Sequence, residues 1–265
     1  MFYHAKNRTI IIENTEMDYV TFGKGDKTLV MIPGLNTRGV KGAAVSLAYM
    51  YRIFAEEYQC FVFDRKKQIP DGYTVRDMAA DIATAMSMLD IVNADVFGVS
   101  QGGMIAQYLA MDFPQLVNKL VLGVTLSKNN DAVQEVVKNW IALSQQVNYK
   151  ELTKDMVEKM YSAAYIKKYK GMIPLLALLN KPKDPVRFRR MAEACLTCET
   201  YDELDKIKCP VFVLGGAQDK VVTGRASEEI AEKLNCDLFM YPDLGHAAYE
   251  EANDFNGRIW DFLKK

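Results

Sequence analysis

Short, unbroken apolar runs bounded by turn residues recur along this chain. Leu29-Val30-Met31-Ile32 precedes Pro33-Gly34, Cys60-Phe61-Val62-Phe63 precedes Asp64, and Asp95-Val96-Phe97-Gly98-Val99 precedes Ser100. Three more follow at 120–124, 211–214 and 238–241. Runs this short and without polar alternation predict strands covered on both faces. Amphipathic stretches of helical length lie between them, at 43–57, 75–89, 102–111, 226–234 and 252–263. Regular alternation of strand and helix predicts an α/β fold, a mostly parallel central sheet of about eight strands flanked by helices. At the front, residues 17–22 followed by Gly23-Lys24-Gly25-Asp26 read as an antiparallel opening strand closed by a hairpin turn.

The alternation fails between about Ser127 and Thr200, where the apolar spacing is helical throughout: 132–146, 153–168 and 186–198. A helical insertion after the sixth strand would sit over the carboxyl ends of the strands, where open α/β sheets bind ligands. The expected organisation is therefore a core from 1–126, a helical cap or lid from 127–200, and a second part of the core from 201–265. The charge cluster Asp184 to Arg190 reads as a solvated helix face, and Leu175 to Leu179 after Pro174 as apolar cap packing.

Composition narrows the partners. Of 265 residues 49% are hydrophobic, enough to bury a large core. Thirty-three Lys and Arg against 34 Asp and Glu leave a formal charge of -1, so no global field favours nucleic acid or an anionic membrane. A small molecule is the expected partner. No apolar run approaches the roughly 20 residues that span a bilayer, and the N-terminus lacks the apolar stretch of a signal peptide. Five cysteines, an odd number in a chain long enough to fold without staples, fit reduced thiols and a cytoplasmic location.

Gly98-Val99-Ser100-Gln101-Gly102 places a serine between a predicted strand and a predicted helix. A sharp turn there needs small flanking residues and presents Ser100 at a helix N-terminus, where N–H groups and the helix dipole favour developing negative charge. The bland alternative is a Gly-rich turn with an N-cap serine. A serine hydroxyl needs a base. Of the two histidines, His4 lies ahead of the first strand, whereas His246 follows the last strand on the same edge of the sheet as Ser100. The imidazole in turn needs a carboxylate to hold its tautomer. Asp219, after the strand at 211–214, is the expected partner, with Asp131 and Asp243 as alternatives.

The order Ser100, Asp219, His246, each at a strand's carboxyl end, resembles the α/β-hydrolases, specifically the capped kind that includes enol-lactonases and carboxylesterases. The likeness spans essentially the whole chain. It implies that Pro33-Gly34-Leu35-Asn36 is the oxyanion loop and that the backbone N–H groups of Leu35 and Gln101 are its donors. Pro33 stands where many relatives carry His, which removes a loop-bracing side chain but no backbone donor. Asp64-Arg65-Lys66-Lys67 keeps the first pair of the family's Asp-Arg-x-Gly-x-Gly and lacks its glycines. These three basic residues could face an anionic substrate group, though a solvated loop explains them as well.

The expected activity is a cofactor-free, metal-free serine hydrolase of a small carboxylic ester, lactone or thioester. A noncatalytic ligand-binding homologue is the alternative from another class. Other chemistry of the fold, C–C hydrolysis, perhydrolysis, cyanohydrin cleavage or aminopeptidase activity, is a third. A serine at the elbow argues against dehalogenase chemistry, which resembles a carboxylate there. Cys195-Leu196-Thr197-Cys198 invites a zinc reading, but further ligands are distant and buried apolar thiols explain it better. Met156, Met160, Tyr161, Tyr165 and Tyr169 recur at helical spacing and fit either a substrate cavity or cap packing. Oligomeric state is not legible.

Overall fold

A computed structural model describes residues 2–169, 171 and 181–265. An eight-stranded sheet runs through it, formed by β1 (Lys6–Ile12), β2 (Thr15–Gly23), β3 (Lys27–Ile32), β4 (Tyr58–Lys66), β5 (Ala94–Val99), β6 (Val117–Gly123), β7 (Val211–Gly216) and β8 (Asp237–Tyr241). Its order is β1-β2-β4-β3-β5-β6-β7-β8. The first two contacts, β1 with β2 and β2 with β4, are antiparallel, and all others are parallel.

This order corrects the reading of the opening turn. Gly23 to Asp26 does not close a hairpin, because β2 pairs with β4 and leaves β3 to pair between β4 and β5. The hairpin lies one step earlier, where β1 returns into β2 with Ile12 opposite Thr15. β1 itself, Lys-Asn-Arg-Thr-Ile-Ile-Ile, carries no buried residue before Ile10 and is an edge strand, so its first half lacks an apolar signature.

The apolar runs serve two faces. Val30 and Ile32 of β3 pack with Met78 and Ile82 of α2 (Val75–Met88) and Ile105 of α3 (Gln101–Asp112) on one side. Leu29 and Met31 of the same strand pack with Ala44 and Ala48 of α1 (Ala44–Met50) on the other. Two-residue periodicity within a continuous run therefore fills both layers.

Between β6 and β7 the described residues form helices: α4 (Asp131–Gln145), α5 (Tyr149–Met160), α6 (Ala163–Tyr169) and α7 (Pro185–Cys195). The two ends of this stretch meet, since Thr200 and Tyr201 donate their amides to the Ser127 carbonyl and Lys128 bridges Glu199. Asn130, Asn148 and Asp184 cap α4, α5 and α7 by accepting from the third helical amide. The 153–168 segment divides at Tyr161-Ser162, where Glu251 takes both the amide and the hydroxyl hydrogen of Ser162. The expectation for Leu175 to Leu179 falls outside the described residues. α8 (Gly224–Leu234) follows β7, and the C-terminal segment divides into α9 (Ala248–Glu251) and α10 (Phe255–Lys264).

The cluster from Asp184 to Arg190 is not simply solvated. Arg187 donates to Asp64 Oδ1 at 3.0 Å and to the Arg65 carbonyl at 2.7 Å, and Arg190 donates to the Ile69 carbonyl. Two arginines thus fasten α7 to the end of β4. Among the described residues no helix is long and apolar enough to cross a membrane.

Candidate active site

Ser100 occupies a turn that few side-chain residues adopt, with φ 52° and ψ −119°. The amide of Ser100 donates to Gly123 O at 2.9 Å and Thr125 Oγ1 donates to Ser100 O at 2.7 Å, so neighbouring β6 holds the strained residue in place. The flanking glycines are required by close approach. A Cβ on Gly102 would lie 1.8 Å from Ile32 O, and one on Gly98 would lie 2.4 Å from Gly102 O. The local sequence therefore folds this way because only hydrogen fits where β5 turns into α3 beneath the loop that follows β3.

His246 and Asp219 reach Ser100 from separate loops. With the imidazole proton on Nδ1, His246 donates to Asp219 Oδ2 at 2.7 Å and accepts from Ser100 Oγ at Nε2, 2.8 Å away. Asp219 Oδ1 accepts from the amides of Val221 and Val222 at 2.7 and 3.0 Å. The two loops brace each other: Ala217 donates to Tyr241 O and Gln218 to Leu244 O, both at 2.9 Å. His246 and Asp219 are buried, whereas Ser100 stays partly open. Asp131 and Asp243, the alternative acids, are exposed, with Asp131 in the first turn of α4. Ser100, His246 and Asp219 are brought together; His4 is not part of the group.

Gln101 begins α3, so its amide has no acceptor within the helix. Leu35 lies on the loop after β3, where Asn36 Oδ1 accepts from the Gly39 amide at 2.6 Å. Gly34 packs directly on the serine, a Cβ there falling 3.2 Å from Ser100 Cβ.

Each member of the basic triplet is engaged by protein groups. Arg65 is 2% exposed and donates through Nη2 to Pro33 O and, at 2.8 Å, to Gln101 Oε1, while Nε and Nη1 have no hydrogen-bond partner among the described residues. Burial lowers its pKa to about 10. Lys66 is buried against Asp81 at 3.3 Å, and Lys67 pairs with Glu16 and Asp18. Arg65 braces the loop where a family histidine is missing, a role that nothing in its local sequence announced beyond the retained Asp-Arg pair. The Gln101 side chain extends this brace by donating to Met191 O and to Cys195 Sγ on α7. Cys195 and Cys198 face different partners, Cys198 lying 3.7 Å from Leu126 O, and burial pushes the Cys195 thiol up to about 12. Among the described residues no three His, Cys, Asp or Glu side chains gather to hold a metal.

A cavity of about 430 Å³ lies between the Leu35 loop and the helices α5 and α6. Met156, Met160, Tyr161, Tyr165 and Tyr169 all line it. Its described wall does not include Ser100; it adjoins the Ser100–His246–Asp219 group through Leu35 and through Met160, whose carbonyl accepts the Ala247 amide at 2.8 Å, one residue past His246.

Known proteins share this architecture. The chain is 22% identical to 3-oxoadipate enol-lactonase 2 of Acinetobacter baylyi over 99% of its own length and 98% of that protein's. The crystal structure of an enol-lactonase from Burkholderia xenovorans LB400 superposes with a TM-score of 0.85 at 18% identity, covering 97% of this chain and all of that one. An esterase from Exiguobacterium antarcticum gives 0.81 at 19%, covering 98% of this chain and all of the other. The family described by the alpha/beta hydrolase fold matches residues 27–253, and the chain belongs to that family.

Proposed function

We propose that this α/β-hydrolase cleaves a small carboxylic ester, lactone or thioester through an acyl-enzyme on Ser100. The observation that carries the reading is the unbroken hydrogen-bond chain from Ser100 Oγ through His246 to Asp219. His246 takes the serine proton as Oγ attacks the carbonyl, then returns it to the departing alcohol or thiol. Asp219 holds the tautomer and stabilises the imidazolium. The amides of Leu35 and Gln101 receive the oxyanion, at a helix N-terminus where the dipole favours it. Water then enters, gives its proton to His246 and attacks the acyl carbon, and the acid leaves as Ser100 regains its hydrogen.

Residues 127–200 act in this reading as the cap over the site, and five unbridged cysteines support a reducing, cytoplasmic setting. The relatives named for lactone and ester hydrolysis support the reaction class.

Intact-mass analysis after treatment with a fluorophosphonate tests it. One adduct is expected on the native chain and none on Ser100→Ala or His246→Ala. Folded native protein that stays unlabelled and leaves p-nitrophenyl acetate intact would sink the assignment and leave the ligand-binding alternative.

A further inference from the structure

The cavity beside Leu35 has a distinctive electrostatic character. Tyr161 and Tyr165 stack at 4.4 Å and 16°, and Tyr165 and Tyr169 lie at 4.4 Å and 46°, so three rings form one continuous wall. Met156, Met160 and Ile166 supply the apolar remainder. Among the described lining residues the one ionisable group besides the phenols is a carboxylate, Glu250, to which the Tyr161 hydroxyl donates. No lysine or arginine belongs to the described wall. Lys168 lies outside the wall, 5.1 Å above the Tyr169 ring. Glu250 also borders a second cavity, which Arg52 lines as well, its guanidinium stacked on Tyr49 at 4.4 Å.

The negative charge is felt inside. Burial raises the phenol pKa values of Tyr161, Tyr165 and Tyr249, and the Glu250 charge pushes each further in the same direction. These hydroxyls therefore stay neutral, and the described wall carries one carboxylate, that of Glu250, beside the aromatic rings. Packed on one another, these rings offer an incoming group apolar surface, while the Glu250 carboxylate attracts a cation and repels an anion. A ligand anion entering here would lose water and meet no cation on the described wall.

We infer that this cavity selects the charge of the substrate: it takes an apolar, aromatic or cationic group attached to the scissile carbonyl and rejects one bearing a carboxylate, with Glu250 as the specificity-determining residue. The inference rests on the reading that the bond attached at Ser100 is an acyl bond, because it assigns the cavity to one side of that bond. Tyr161 contributes by anchoring the carboxylate at the wall instead of leaving it to swing into water. Glu250 is exposed, so its influence is screened in part and should respond to salt.

The test is a binding measurement on Ser100→Ala, which requires no turnover. Phenyl pentanoate, its ω-carboxylate counterpart (the phenyl hemiester of glutaric acid) and its ω-trimethylammonium counterpart are titrated by calorimetry. The neutral and cationic esters are expected to bind at least tenfold more tightly than the carboxylate. Glu250→Gln should narrow the gap between cation and anion to about threefold, and 0.5 M NaCl should compress it in the Glu250 chain but not in the variant. Equal or tighter binding of the carboxylate, a gap indifferent to Glu250→Gln, or no binding of any of the three overturns the inference. Failure of the acyl-enzyme reading is seen separately, as absence of the Ser100 adduct on the native chain.

Discussion

The Arg65 guanidinium and the Gln101 side-chain oxygen lie 2.8 Å apart in a fully buried contact, and the same Nη2 also donates to the Pro33 carbonyl. One cation therefore ties the loop carrying Leu35 to the residue that begins α3. It holds both proposed oxyanion donors without touching the reacting atoms. Arg65→Lys keeps the charge, but its shorter side chain and unfixed ammonium replace the planar group whose Nη2 meets both acceptors. Loss of aim at one donor should lower kcat by about tenfold or more, toward the 10²-fold cost of removing a donor outright, with KM changed less than about threefold. Steady-state kinetics on a p-nitrophenyl ester check it; a change in KM alone would mean that Arg65 serves binding instead.

Asp219 accepts two backbone amides through one oxygen and the imidazole through the other. Asp219→Asn can keep the first oxygen and should fold normally, while its amide would face His246 Nδ1 as a donor. The imidazole is then driven to the wrong tautomer, with Nε2 protonated and unable to accept from Ser100. A fall in kcat of about 10⁴ is expected. Thermal unfolding within a few degrees of the native chain, measured alongside, separates this from a loss of structure.

Gly102 meets the backbone of the preceding loop so closely that a methyl group would fall 1.8 Å from Ile32 O. No side chain can rotate away to make room, because the obstacle is main chain. Gly102→Ala should destabilise by more than the usual 1–3 kcal/mol of overpacking and lower the melting temperature sharply. Ser100→Ala at the neighbouring position should leave the melt nearly unchanged, and a Gly102→Ala chain that melted like it would contradict the packing argument.

Asp18 sits in the β2 strand with the Thr9 hydroxyl donating at 2.5 Å and Lys41 at 3.3 Å. Burial raises its pKa, but the bonds from Thr9 and Lys41 and the charge of Lys67 outweigh burial, and the net shift is downward. A carboxyl whose folded pKa lies below its unfolded value of about 3.9 contributes fully above that value, and the contribution is lost as pH falls through the folded pKa. The melting-temperature difference between the native chain and Asp18→Asn should therefore be constant from pH 7 to about pH 5 and shrink below about pH 4. A gap that persisted at pH 2.5 would show that the hydrogen bonds, not the ionisation, carry the effect.

How far this protein could be read from its residues depended on the range of the forces involved. The elbow was legible because its demands are local: Gly98, Ser100 and Gly102 must be small or reactive within five positions, and the apolar run before them ends where the chain turns. His246 and Asp219 were legible through their place after apolar runs, since parallel strands deliver their carboxyl ends to one edge. Chain order alone determined that the three could meet there.

Tertiary structure decided what depends on pairing across the chain. β1 carries five of its seven residues exposed at an edge, so no local hydrophobic period marked it, and the insertion of β4 between β2 and β3 leaves no trace in the Gly23 to Asp26 turn. The 153–168 segment has helical spacing throughout, yet it breaks because Glu251, far along the chain, takes the hydrogens of Ser162. Arg65 and Arg187 read as surface charge, and only their partners, the carbonyls and carboxylate that meet where β4, α3 and α7 converge, turn them into interior braces. Hydrophobic periodicity is written residue by residue, whereas a buried cation is specified by groups that folding alone brings within 3 Å.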